Sequence, residues 1–225
     1  MNKYIGIIAA ENEEIEAIKN TMKNVDEVKI YNLTFYRGII NNNNYIVVKC
    51  GVGKVNAART AQILIDKFDV EYIINLGSAG AVNDKLNIGD IVIGQRLVQH
   101  DFDLTAFGRE KGDIPETGKI FKCDENLLKQ CEKIEIDNIK ITVGTIASGD
   151  IFCTDIKMKE KIREKFNCDC VEMEGAAVAQ VCYLNKIPFI VIRSISDIPN
   201  GKNEIDFNEY LKLASKNCAE FIKQI

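Results

Sequence analysis

The sequence predicts an α/β fold of three layers, with helices flanking a central mixed β-sheet, in one domain spanning residues 1–225. Three observations predict it. Short apolar runs alternate with segments of helical period from end to end, the pattern of strands connected by helices. Two of the strand-like runs are joined by consecutive asparagines, a hairpin signal that brings antiparallel pairing into the sheet. No linker, repeat or low-complexity segment divides the chain, and its three prolines do not cluster.

Taken in order, residues 5–10 form a strand apolar enough to be buried on both faces. Residues 13–22 follow as a helix with an Ile15/Ile18/Met22 stripe, and Glu11, Glu13 and Glu14 complement its N-terminal dipole. Residues 34–40 and 45–49 are the arms of the hairpin, turning through asparagines 41–44. Gly51-Val52-Gly53-Lys54 leads into a helix over 55–67, and a strand over 72–76 runs into a second small-residue turn, Gly77-Ser78-Ala79-Gly80. Further strands are expected at 90–93, 141–147 and 189–195. Helices are expected at 125–133, 155–165, 175–185 and 207–223, the last delayed by Pro199 and Gly201. The stretch 99–119 has no clear period, and a loop of that length in a compact domain is usually functional or disordered.

Composition narrows the function. The net charge is −4 and no Lys/Arg cluster is interleaved with aromatics, which argues against nucleic acid as the main partner. The first apolar run is too short for the core of a signal peptide and leads into acidic residues instead of a cleavage site. No run approaches the roughly 20 apolar residues of a membrane span, so the expected location is the cytoplasm. Eight cysteines show no paired CxxC spacing, and His100 is the sole histidine, so a zinc site would need almost pure thiolate ligation. Reduced, structural cysteines and no metal are the expectation, because thiols inside apolar runs, such as Cys50 and Cys182, behave as small hydrophobes.

The chemistry-bearing residues sit where apolar runs end. Asp197, with Ser196 beside it, closes the run from Phe189, a good place for a raised pKa and a general acid; the plainer reading is a helix N-cap. Glu172, Met173 and Glu174 precede a small-residue helix, and in an extended segment the two carboxylates share one side, where one can accept hydrogen bonds from a vicinal diol. Glu14 borders the first helix's apolar stripe, so it can face inward as a dipole-stabilised, ionised base that activates water. Gly51-Val52-Gly53-Lys54 is not a P-loop, because Val48 and Val55 stand where that motif needs Gly and Ser/Thr. The Gly77–Gly80 turn would let a ligand approach the backbone at the carboxyl end of the sheet. Met173, Phe152 and Phe207 are core residues by default.

Together these segments resemble the purine nucleoside phosphorylase/hydrolase superfamily and, within it, the bacterial 5′-methylthioadenosine/S-adenosylhomocysteine nucleosidases. The resemblance also draws on His100-Asp101-x-Asp103-x-Thr105-Ala106-Phe107-Gly108 and Ser148-Gly149-Asp150. It implies hydrolysis of the N-ribosidic bond of 5′-substituted adenosines in methionine salvage, through an oxocarbenium-like transition state and without a cofactor. Glu14 would activate the water, and Asp197 would protonate N7 of the departing adenine. Glu174, beside Glu172, would hold the ribose hydroxyls, with Met173 packed on the ribose and Phe152 stacked on the base. The backbone of Cys153 would read the adenine edge. Ser78, Gly80 and Ser196 would line the crevice, and Val52 and Phe207 would flank the 5′-substituent. Leu104, Phe107 and Pro115 would reach the pocket of a second subunit, implying a homodimer. Glu11 departs from the methionine usual in the family near the 5′-alkylthio pocket, and Cys153 from an aliphatic residue. The rivals are a phosphorylase of the same superfamily, which would need a cationic phosphate site, and a non-catalytic nucleoside-binding module.

Overall fold

The computed structural model describes residues 3–198 and 203–225. The first half of the chain forms β1 (Tyr4–Ala9), α1 (Asn12–Lys19), β2 (Lys23–Ile30), β3 (Leu33–Ile40), β4 (Asn43–Lys49), α2 (Lys54–Lys67), β5 (Val70–Ala81) and β6 (Ile91–Gln99). The second half forms β7 (Phe121–Lys122), α3 (Glu125–Cys131), β8 (Ile141–Ser148), α4 (Ile156–Phe166), β9 (Cys170–Glu172), α5 (Gly175–Asn185), β10 (Phe189–Asp197) and α6 (Asn203–Ile222). Pro199 and Gly201, expected to delay the last helix, lie outside the described residues; α6 begins four residues before Phe207.

The mixed sheet predicted by the sequence is present. β1 lies between β4 and β5 and runs parallel to both, which is why its Ile5, Ile7, Ile8 and Ala9 are all buried. In the β3–β4 hairpin Ile40 pairs with Asn43, leaving Asn41 and Asn42 as a two-residue turn at φ 47° and 67°. Asparagine tolerates this left-handed conformation, and such turns match the strands' twist. β2, which pairs with β3 at the edge, was not foreseen. Its sequence, KNVDEVKI, is largely exposed and charged, as edge strands are, and carries no apolar alternation to read.

The sheet order is β10-β6-β8-β9-β5-β1-β4-β3-β2, and β10 also pairs with β5. One end of the sheet therefore curls round until β5, β10, β6, β8 and β9 make a closed ring. β5 is the hinge of this architecture, parallel to β1 and β10 and antiparallel to β9. The helices form two packed pairs, α1 with α6 over β10 and β5, and α2 with α5. Among the described residues no helix is long and apolar enough to cross a membrane.

The Gly77–Gly80 segment is a correction to the sequence reading. It is not a turn; β5 continues through it to Ala81. Its glycines are there for space. A side-chain carbon at Gly77 would lie 2.8 Å from Glu14 Oε1, and one at Gly80 would lie 2.7 Å from Asp197 Oδ2.

Candidate active site

A cavity of about 320 Å³ opens at the carboxyl ends of β1, β4, β5 and β10, beside the β9–α5 junction. Such strand ends are where open α/β sheets take ligands. Its wall includes Glu14, Val52, Ser78, Gly80, Phe152, Cys153, Glu172, Met173, Glu174, Ser196, Asp197 and Phe207. Leu104, Phe107 and Pro115 do not line it; Phe107 sits in a short 3-10 turn and is 81% exposed.

Glu14 enters from the first turn of α1 and is 2% exposed. Its Oε2 accepts the backbone N–H groups of Ala10 and Glu11, each at 3.0 Å. Its Oε1 accepts from the Ser78 N–H at 3.0 Å and from the Ser78 hydroxyl at 3.3 Å. Burial pushes the carboxyl above its ordinary value, and the backbone donors and the Arg193 charge oppose that rise without cancelling it. Desolvation is the larger effect here. What results is a fixed carboxylate with a raised proton affinity, suited to taking a proton from water.

Opposite it, β9 ends at Glu172 and α5 starts immediately after Glu174. The two glutamates do different work. Glu172 Oε2 accepts the N–H groups of Glu174 and Gly175 and pairs with Arg193, while its Oε1 takes the Ser148 hydroxyl. Burial works against its charge, yet Arg193 and these donors hold it below the ordinary carboxylate range. Arg193, on β10 and 1% exposed, also donates to Asn75 Oδ1 at 2.6 Å and stands 3.9 Å from Glu174 Oε2. Glu174 takes the Gly53 N–H at 2.8 Å, and burial together with the Glu172 charge raises its pKa to about 8. The carboxylate with capacity left for hydroxyl donors is therefore Glu174.

The glycine motif after β4 serves this arrangement. Gly51 and Gly53 adopt φ 82° and 99°, which side-chain-bearing residues rarely do. The Gly53 amide is thereby aimed at Glu174. Lys54, which stands where a P-loop has its phosphate lysine, is tied to Asp101 at 2.7 Å and Gln99 at 3.1 Å.

Asp197 closes β10 and is 3% exposed. Ser196 Oγ donates to its Oδ1 at 3.1 Å, and Lys159 Nζ lies 2.7 Å from its Oδ2. Lys159 is a neighbour of Asp197 that the sequence does not point to. It occupies an inward position of α4 with Ile162 and Phe166, where nothing in the sequence says which acid it meets. At the rim, Phe152 and Phe207 stack edge to face at 5.6 Å, and half-buried Glu11 shares the wall with Val52 and Ile151.

A mixed sheet whose strand ends frame a cavity with an apolar wall and four buried carboxylates defines a class of nucleoside-cleaving proteins, and the chain belongs to it: the phosphorylase superfamily, whose family model matches residues 4–225. Its relatives are more particular. The 5′-methylthioadenosine/S-adenosylhomocysteine nucleosidase of Staphylococcus haemolyticus is 40% identical over 223 residues, 98% of each chain. The nucleosidase of the same name from Neisseria meningitidis, solved with methylthio-immucillin-A, superposes with a TM-score of 0.95 at 35% identity, covering 99% of this chain and 97% of that one. The Colwellia psychrerythraea nucleosidase, solved with adenine, gives 0.95 at 38% identity, covering 100% and 94%.

Proposed function

We propose that the chain, acting as one nucleosidase domain over residues 1–225, hydrolyses the N-ribosidic bond of 5′-substituted adenosines to adenine and the 5′-substituted ribose. Methylthioadenosine and S-adenosylhomocysteine, named for its relatives, are the first substrates to test, with 5′-deoxyadenosine beside them. One observation carries the reading. Glu14 and Asp197, far apart in sequence, enter one cavity, each over a glycine of β5 that gives it room.

In this reading Glu174 accepts hydrogen bonds from the ribose diol, Met173 packs against the sugar, and Phe152 stacks on the adenine. The Cys153 backbone reads the base edge. Asp197 protonates N7 as the bond to the sugar stretches, which makes the purine a better leaving group. The anionic wall favours the positive charge growing on the ribose, and Glu14 takes the proton of the attacking water. Ser78 holds Glu14 and Ser196 holds Asp197, while Glu172 keeps the β9–α5 corner in place. Val52 and Phe207 flank the 5′-substituent, and Glu11 at the rim favours a polar one. Leu104, Phe107 and Pro115 belong to an exposed loop that, in a homodimer, would complete the neighbour's pocket. Eight unbridged cysteines fit a reducing compartment and support a cytoplasmic enzyme.

Phosphorolysis needs a free cation for phosphate, and Arg193 is committed to Glu172 and Asn75. Adenine release from 5′-methylthioadenosine is therefore expected to proceed at the same rate with and without phosphate, followed by ultraviolet absorbance. Strict phosphate dependence would overturn the hydrolase reading.

Gly80→Ala supplies a second test. The added carbon would meet Asp197 Oδ2 at 2.7 Å, so the carboxyl must move. A misplacement of that order is expected to lower kcat about 100-fold, with a lower thermal midpoint as well because the shift strains the buried contact of Asp197 with Lys159. Unimpaired turnover in this variant would refute the placement of Asp197 against the leaving base.

A further inference from the structure

The inward face of α4 consists of Lys159, Ile162 and Phe166, and an apolar residue at 159 would complete that stripe. Instead the position holds an ammonium that is 1% exposed, against an aspartate side chain that is 4% exposed. A buried ion pair carries a large desolvation cost and is commonly no more stabilising than a well-packed apolar replacement. Stability alone does not account for a lysine there.

The geometry points to Lys159 as a positioning residue for protonation of the leaving purine, an inference that rests on the reading of Asp197 as the acid. Lys159 Nζ holds Oδ2 at 2.7 Å and Ser196 Oγ donates to Oδ1 at 3.1 Å, so the carboxyl cannot turn without losing both. With Oδ2 taken by the ammonium, Oδ1 is the oxygen through which a proton reaches the base, and the resting ion pair takes that proton from solvent before the sugar–base bond breaks. In the reaction the sugar–N9 bond breaks with its electron pair passing to the purine, the Oδ1–H bond breaks, and the N7–H bond forms. Water oxygen bonds to the sugar carbon, and its proton passes to Glu14. Asp197 is left as a carboxylate, whose charge the ammonium balances as it forms. Once adenine departs, Glu14 returns a proton to solvent and Asp197 takes one up, which closes the cycle. Without Lys159 the acid would become a buried anion with no countercharge, held by Ser196 alone, and it would be a poor proton donor.

The test separates leaving groups. Lys159→Met fills the same stripe without charge. It is compared with the unsubstituted enzyme on 5′-methylthioadenosine and on the para-nitrophenyl riboside bearing the same methylthio group, whose nitrophenolate departs unprotonated. The expected result is a kcat about 100-fold lower on the nucleoside and essentially unchanged on the nitrophenyl riboside. The ratio of the two rates does not depend on how much of the variant folds. Lys159→Arg, which keeps a cation, is expected to restore much of that ratio. An equal fall on both substrates, or no fall on either, overturns the inference. Asp197→Asn is run alongside. If it changes the ratio and Lys159→Met does not, the role of Lys159 fails alone; if neither changes it, the reading of Asp197 as the acid fails too.

Discussion

Glu14→Gln is expected to slow adenine release by about 10²–10⁴-fold, the contribution of a positioned base to a proton transfer. The substitution keeps the shape of the side chain and removes its basicity. Its effect on folding is expected to be small for two opposed reasons. The carboxylate takes donors on both oxygens, from Ala10 and Glu11 on one and Ser78 on the other, so an amide nitrogen placed on either side faces a donor. That conflict costs about 1–3 kcal/mol. Against it, the variant no longer has to bury a charge, the largest effect acting on Glu14. The pH profile gives a second signature. Because burial holds the carboxyl above its ordinary 4.5, the enzyme loses its base as pH falls through that raised value. An acid limb in kcat/KM above the usual carboxylate range is expected, and it should vanish in the variant. Near-normal turnover by Glu14→Gln would remove the residue from the mechanism.

Glu14 was legible in the sequence because a carboxylate beside an apolar helical stripe is conspicuous, and Asp197 because it ends a run of strand residues. What neither pattern carries is how the two come together. That depends on β5 continuing through Gly77-Ser78-Ala79-Gly80, where small residues read locally as a turn. The glycines answer to contacts with Glu14 and Asp197, which are long-range and leave no local trace. The closure of the sheet through β10 and β5 is hidden for the same reason, since pairing partners are not written in either strand. β2 is missed because an exposed edge strand needs no apolar face. Lys159 is missed because a lysine on a helix reads as solvated until its partner is known. The strands β1, β4, β8 and β10 and the asparagine hairpin, by contrast, are set by local periodicity and turn chemistry and lie where the sequence predicts them, whereas the short buried β9 is too brief to show a period.

Arg193→Met is the change expected to cost the fold most. Removing one partner of a buried ion pair costs about 3–5 kcal/mol, because the surviving charge is left uncompensated. Here two survive. Glu172 loses the guanidinium that, together with its hydrogen-bond donors, outweighs its burial, and Glu174, already raised to about 8, loses its nearest cation. Asn75 Oδ1 also loses its donor. The deficit is expected to depend on pH, and its sign can be worked out. With Arg193 present, Glu172 is held below its ordinary value, so its contribution is in place above about 4.5 and is lost as pH falls through the lowered value. Without Arg193 both buried carboxyls bind protons more tightly in the folded chain than in the unfolded one. Stability of the variant then falls as pH rises, and the gap to the unsubstituted protein widens from pH about 5 to pH about 8. Urea unfolding at those two values measures it. Glu172→Gln in the same chain is expected to recover part of the loss by removing one stranded charge. A gap that is the same at both pH values would mean that Arg193 acts through packing alone, and that the carboxylates at the β9–α5 corner do not depend on its charge.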